Sequence, residues 1–365
     1  MSGYDLIVIG GGLVGGAIAW GAARLGAEVA VLDEGDIAYR ASRGNFGLVW
    51  VQGKGVGMAP YAHWTRQSSE LWPRLAEALG EECGHDVALR QPGGLHFCLS
   101  DQELEERAAV SARMHNESGG NGTRMIGRAE LRDMVPAIGD AVVGASFCPI
   151  DGHANPLYLL RALHEGMQLL GANYLPGRTV DRITTDEGAY SVYAGSERFN
   201  AKRIVIAAGL GSARLAPMVG LHMPVAPLRG EIIVTERVGK FLDYATHTVR
   251  QTDEGSVMLG DSQEEVGFDT GISLPVLQGI ASRALTAFPL LRNANVVRTW
   301  SALRVMTPDG YPIYQASTDC PGAFVVTCHS GITLAAQHAG PIADWIRGGP
   351  EPAILANFKA ERFHV

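Results

Sequence analysis

Near the N-terminus an apolar run, Leu6-Ile7-Val8-Ile9, stops abruptly in Gly10-Gly11-Gly12-Leu13-Val14-Gly15, and this junction constrains the fold more than any other feature. Four consecutive aliphatic residues suit a parallel strand buried on both faces. Beyond the glycines, Val14, Ile18, Ala22 and Leu25 recur at helical spacing, and Gly26 stands where a helix ends. Val29 and Val31 then alternate in a second strand that delivers Asp33 at its carboxyl end. In this strand-turn-helix-strand unit Gly10 permits the tight turn, Gly12 lets a pyrophosphate approach the backbone, and Gly15 lets helix and strand pack closely. Leu13 and Val14 open the helix, whose unpaired N–H groups and positive dipole end attract an anion. Asp33, about 20 residues on, suits the hydroxyls of a ribose. The pattern specifies a dinucleotide site without separating a nicotinamide from a flavin.

The uncharged stretch 6–23 approaches the length of a membrane span. No basic cluster precedes it and it holds a run of three glycines, so it reads as strand, turn and helix, not as a transmembrane or targeting segment. At 365 residues the chain exceeds one compact core, which makes two domains the starting expectation. A composition of 46% hydrophobic and 19% charged residues with 46 glycines suits a well-buried α/β protein with many tight turns. The formal net charge of -8, with no Lys/Arg run to overturn it locally, speaks against a nucleic-acid partner. Cys83, Cys98, Cys148, Cys320 and Cys328 lie far apart, with no C-x-x-C pair, which signals neither a disulfide framework nor a metal site and fits a reducing cytoplasm.

Further along, residues 41–57 are glycine-rich and irregular, and residues 58–79 read as a helix. Leu95, Phe97 and Leu99 alternate as in an antiparallel strand, and Ser100 with Glu103 forms a capping box for the helix beyond. Asn155-Pro156 marks another helix start, with Gly171 near its end. Residues 203–208 form a second buried strand, ending at Gly209, and 230–235 and 256–260 alternate again. An apolar strand at 324–327 leads into Cys328-His329-Ser330-Gly331, after which a helix is expected from Thr333 toward Trp345, interrupted at Pro341. The two kinds of segment alternate along the chain, so two interleaved domains are expected: one from 1–84, 145–222 and 300–365, the other from 85–144 and 223–299.

Several ordered segments carry a resemblance. They are the N-terminal glycine turn, Ala41-Ser42-Arg43-Gly44-Asn45, Ile204-Val205-Ile206-Ala207-Ala208-Gly209, Trp300-Ser301-Ala302-Leu303-Arg304, Pro308-Asp309-Gly310-Tyr311-Pro312 and His329-Ser330-Gly331-Ile332-Thr333. Over nearly the whole chain the sequence resembles the FAD-dependent amino-acid oxidoreductases, the family of glycine oxidase, sarcosine oxidase and D-amino-acid dehydrogenases. The resemblance implies an α/β fold with a Rossmann-type FAD-binding domain and an interleaved α+β substrate domain on an antiparallel sheet. By analogy Ser42, Arg43, Gly44 and Asn45 wrap the ribityl and phosphate region, Ala208 and Gly209 approach the adenosine half, and the Val180 backbone meets adenine. Ser330, Gly331, Ile332 and Thr333 would face the flavin ring, where a helix N-terminus stabilises the charge that accumulates on reduction.

Arg304 matches the arginine that receives the substrate carboxylate, a role suited to a two-pronged guanidinium, although an interdomain ion pair is the competing reading. His329 is a candidate for the flavin environment, and His63, His96 and His247 have weaker claims. The implied reaction passes a hydride from the carbon bearing nitrogen to flavin N5. The run 43–55, from Arg43 to Gly55, looks more like the B or beta subunits of opine oxidases and D-hydroxyproline dehydrogenases. That likeness implies an amino or imino acid substrate with a secondary amine, an accessory subunit carrying further redox centres, and a hetero-oligomer, cytoplasmic or peripheral to the inner membrane through its electron-transport partners. Trp50 and Gln52 would then line the pocket. A nicotinamide dehydrogenase explains the N-terminus alone, and a stand-alone glycine or D-amino-acid oxidase, or a subunit with purely structural FAD, remains a competing reading of the rest.

Overall fold

The computed structural model describes residues 3–35, 41–186 and 188–363. The chain opens with β1 (Tyr4–Ile9), α1 (Leu13–Arg24), β2 (Val29–Asp33), β3 (Leu48–Val49), α2 (Ala59–Cys83), β4 (Gly94–Cys98) and α3 (Asp101–Ser118). Next come β5 (Arg124–Gly127), α4 (Arg128–Met134), β6 (Gly144–Cys148), β7 (Gly152–His153), α5 (Pro156–Leu169) and β8 (Asn173–Pro176). They are followed by β9 (Arg182–Asp186), β10 (Ala189–Ala194), β11 (Glu197–Ile206), α6 (Ser212–Leu215), β12 (Ala226–Arg237), β13 (Ala245–Thr246) and β14 (Val249–Gln251). The last elements are β15 (Ser256–Leu259), α7 (Leu274–Ala287), β16 (Val296–Met306), β17 (Ile313–Ala316), β18 (Ala323–Thr327), α8 (Ala335–Gln337) and α9 (Ala343–Arg347).

An eight-stranded sheet, ordered β17-β18-β11-β1-β2-β8 with the β9–β10 hairpin joined to β11, forms one layer. Its centre is parallel, β1 lying between β2 and β11. The unbroken apolar character of β1 follows from its place. Leu6 and Val8 pack on one face with α1, α2 and α5, whereas Ile7 and Ile9 pack on the other with Ile183, Tyr190 and Leu215. Each such side chain, fully buried, contributes about 1.5–3 kcal/mol. Gly26, at φ +84°, closes α1 as expected, and the Asn155 side chain accepts from the N–H groups of Leu157 and Tyr158 to start α5.

Two further four-stranded sheets stand beside this layer, β14-β15-β12-β16 and β13-β4-β6-β5, with a third apolar core between them and α7. Antiparallel pairing dominates both, the β13–β4 pair being parallel. The expected divisions at 145 and 300 cut through β6 and β16, each of which pairs along its length outside the eight-stranded sheet. Ser100 caps α3 as read, but Glu103 does not return to the Ser100 N–H. Its carboxylate accepts from the Leu99 N–H and pairs with Arg283. The C-terminal helix begins at Ala335, two residues after the expected start, because residues 331–334 form a turn. Pro341 lies in a π-helical turn, His338–Ile342, that joins α8 to α9, which accommodates a residue with no N–H to donate.

Candidate active site

The glycine turn between β1 and α1 is fixed by contacts that admit no side chain. Gly10 has φ +107°, and a Cβ there would lie 2.5 Å from the Ala207 carbonyl oxygen, while one on Gly15 would collide with the Gly10 carbonyl. Gly15 therefore packs helix on strand and does not line the cavity. Gly12 begins α1 without a side-chain cap of its own, and the Leu13 N–H donates to Ser42 Oγ at 2.9 Å. Asp33, 5% exposed, accepts from the Gly11 N–H at 2.6 Å and the Gly35 N–H at 2.7 Å. Its carboxylate is thus held at the carboxyl end of β2, next to the turn.

A channel runs from this turn. Gly10, Gly12, Leu13, Val14, Asp33, Ser42, Asn45, Val180, Ala208, Gly209 and Gly331 all line it, and it reaches Cys328 and His329. Val180 lies in the loop before β9, where its carbonyl accepts from Arg214. Arg43 is placed elsewhere: it is exposed and lines a separate outer groove with His164 and Tyr174. A helix N-terminus whose N-cap glycine brings no side chain, a bare-backbone turn and a buried carboxylate are the groups that a dinucleotide's pyrophosphate and ribose require. On that chemistry the residues fit FAD: Asp33 and Val180 would hold its adenosine half, and His329 and Gly331 would lie by its ring.

At Ala41, Asn45 and His329 the channel opens into a cavity of about 450 Å³. Trp50, Gln52 and Arg304, expected in the substrate pocket, line it, and so do Gly44, Ser330, Ile332 and Thr333, which were expected against the cofactor and do not line the channel. Thr333 acts as a tie, its Oγ1 accepting from the Trp50 N–H at 3.1 Å, and the Ile332 carbonyl accepts from Trp72 Nε1 at 3.0 Å. Arg304, on β16, donates from Nη1 to the Ser262 carbonyl at 2.6 Å and the Arg229 carbonyl at 3.3 Å, and from Nη2 to Asp261 Oδ1 at 2.7 Å. Of the five guanidinium N–H groups, those bonds leave the Nε–H and one Nη2–H, the side-on edge that grips a carboxylate with two parallel bonds. Burial, with Lys54 and Arg304 nearby, holds His329 neutral, its pKa well below the ordinary value.

Several cavity residues carried no role in the sequence reading. Lys54 Nζ donates to Ser330 Oγ at 2.6 Å, and Tyr61 Oη donates to the same oxygen at 2.8 Å. Burial lowers the Lys54 ammonium to about 8. Arg107 reaches in from α3, with Nε on Ser146 Oγ at 2.7 Å and Nη2 on Gln52 Oε1 at 2.8 Å. Gln52 Nε2 in turn donates to Asp151 Oδ2 at 2.8 Å, and burial raises the Asp151 carboxyl to about 7. His96 and His247 stack with ring centroids 3.6 Å apart, and burial keeps both neutral, His96 near 3. His63 is exposed and takes no part. The Gly53-Lys54-Gly55 spacing was the one local signal for Lys54, whereas Arg107, in a charged helix, looks like any solvated residue.

No helix among the described residues is long and apolar enough to cross a membrane, and the five cysteines are free. The chain is 44% identical over 363 residues to the B subunit of opine oxidase from Agrobacterium tumefaciens (strain Ach5), covering 99% of this chain and 98% of that one. It is 43% identical over 361 residues to the corresponding B subunit of opine oxidase from Rhizobium meliloti, covering 98% and 97%. The crystal structure of glycine oxidase from Geobacillus kaustophilus superposes with a TM-score of 0.91 at 26% identity, covering 98% of each chain. Residues 5–345 match the model of the DAO family, described as FAD dependent oxidoreductase. The chain belongs to that family and is an FAD-dependent amino-acid oxidoreductase.

Proposed function

We propose that this chain oxidises the C–N bond of a secondary-amine acid, an opine or a hydroxyproline-like imino acid, as the catalytic subunit of a hetero-oligomeric dehydrogenase. The observation that carries the reading is the free side-on edge of Arg304 in a cavity continuous with the FAD channel. The 44% identity to a protein named as an opine oxidase subunit supports both the substrate class and the assembly. We assign the eight-stranded sheet to the FAD-binding domain and the two smaller sheets to the substrate-binding domain.

Bound FAD supplies the hydride acceptor, N5 of its ring. The protein's part is orientation and charge. Arg304 fixes the substrate carboxylate with two bonds, which sets the C–H of the nitrogen-bearing carbon in one direction. Arg304 and Lys54, both cationic on this wall, disfavour a further ammonium, so the substrate amine binds with its lone pair free. Trp50 and Ile332 exclude water from that side of the cavity. Loss of hydride from the neutral amine leaves an iminium ion, which water hydrolyses to an amine and a carbonyl compound with release of a proton.

Anaerobic mixing of the flavin-loaded chain with opines, D-hydroxyproline, glycine and D-amino acids tests the proposal. Bleaching of the visible flavin bands by the secondary-amine acids is expected. Bleaching by primary amino acids alone would mark a stand-alone oxidase, and a chain that stays yellow with every substrate until a partner is added would carry structural FAD.

A further inference from the structure

We infer that Arg107 forms a second carboxylate subsite in the cavity that Arg304 also lines, so that the substrate is an open-chain secondary amine with a carboxylate on each side of the nitrogen. The inference rests on the substrate reading above and narrows it, since a cyclic imino acid offers only one carboxylate.

Arg107 and Arg304 line the same cavity but come from different sheets' surroundings and belong to different clusters. Arg304 sits with Lys54, Asp261 and His329. Arg107 sits over the face of β4 and β6 formed by His96 and Ser146, which pair across the two strands, and His96 stacks on His247. The two guanidinium groups are also used in complementary ways. Arg304 spends its end-on Nη1/Nη2 fork on protein oxygens and keeps the side-on edge. Arg107 spends the side-on edge, Nε on Ser146 and Nη2 on Gln52, which leaves both Nη1 hydrogens and one on Nη2. That remaining fork matches a carboxylate.

The balance of charge points the same way. Arg304 pairs with Asp261, and Arg229 pairs with Glu264 and Asp269. Among the described residues Arg107 has no carboxylate partner at all. Its bonds go to a hydroxyl and an amide oxygen, and the nearest acid along the chain of bonds, Asp151, is reached only through Gln52. A part-buried guanidinium with no carboxylate bonded to it is costly, and an incoming anion relieves that cost. His96 and His247, held neutral, add no competing charge and leave the carboxylate to the arginine.

The test uses the flavin-loaded protein and two sulfur analogues that lack the reacting amine: thiodiacetate, with two carboxylates, and methylthioacetate, with one. Calorimetry and the shift of the flavin absorption bands give each Kd. Wild type is expected to favour thiodiacetate by about 100-fold, Arg107→Met to abolish that preference by weakening thiodiacetate alone, and Arg107→Lys to restore part of it. Arg304→Met is expected to weaken both analogues. If wild type fails to discriminate, or Arg107→Met weakens both analogues equally, Arg107 only buttresses Gln52 and the subsite is overturned. If neither analogue binds while secondary-amine acids still bleach the flavin, the subsite falls and the substrate reading survives; if bleaching also fails, both fall.

Discussion

The channel beside β1 is walled by small residues and aliphatic side chains: Gly10, Gly12, Ala208, Gly209 and Gly331 face it together with Leu13, Val14 and Val180, and the acidic side chain of Asp33 is anchored at its end by backbone N–H groups. The adjoining cavity is walled by large polar side chains from several strands, helices and loops, among them Lys54, His96, Arg107, His247 and Arg304. The first binds by leaving room and by presenting N–H groups, so it suits a cofactor whose shape is constant. The second binds by charge placed at particular points, so it suits a substrate that must be told from its relatives. Changes to backbone in the channel should remove the cofactor altogether, whereas changes to side chains in the cavity should grade the substrate response.

The largest effect is expected from Gly15→Val. The new side chain would meet the Gly10 carbonyl, in the turn that follows β1, and Val8 within β1, where no long flexible side chain can give way. Overpacking of this kind costs about 1–3 kcal/mol or more even against side chains, and here it displaces the turn that presents the N–H groups. The purified variant should be colourless by visible absorption. A yellow protein with a full complement of flavin would show that the turn tolerates displacement and that the channel does not depend on its backbone.

A graded effect is expected from Arg304→Lys. Lysine keeps the charge but not the side-on edge, and it must also replace three bonds to Ser262, Arg229 and Asp261. The apparent KM for a secondary-amine acid should rise about 100-fold, near 3 kcal/mol, with visible flavin content retained. An unchanged KM would convert Arg304 into a purely structural residue that holds Asp261, and the contrast between channel and cavity would lose its main support.

The same contrast explains what the amino-acid order revealed. The strand, glycine turn, helix and Asp33 are contiguous, and their geometry is written in local rules: aliphatic runs, residues that need positive φ, a glycine after the last helical turn. The cavity is assembled from pairs far apart in the chain. Lys54 meets Ser330 across 276 positions, and Arg107 meets Gln52 across 55. No local pattern marks an arginine in an acidic amphipathic helix as the one that turns inward. Arg43 fails for the opposite reason, because its neighbours Ser42 and Gly44 face the channel and cavity while its own side chain leaves the loop on the other side. The turn at 331–334 likewise follows from contacts of Ser330 and Thr333 with residues near position 50, which override the helical pattern up to Ala335.

The smallest expected effect concerns Lys54 and is read as a pH dependence. Its folded-state pKa of about 8 lies below the ordinary 10.5, because burial disfavours the ammonium. The unfolded chain therefore binds more protons than the folded one between those values, and the slope of stability against pH is positive there. The penalty is full below pH 8 and fades as pH climbs toward 10.5. Between pH 7.5 and 9.5 wild type should gain roughly 2 kcal/mol relative to Lys54→Met, a few degrees in Tm. At neutral pH the two should lie closer, since methionine relieves the buried charge but loses the bond to Ser330, worth about 1.5–3 kcal/mol for a charged donor. Thermal unfolding of both flavin-loaded proteins across that range provides the measurement. Parallel curves would mean that Lys54 titrates at its ordinary value, and that the wall of the cavity carrying Arg304 is wetter and less selective than its packing implies.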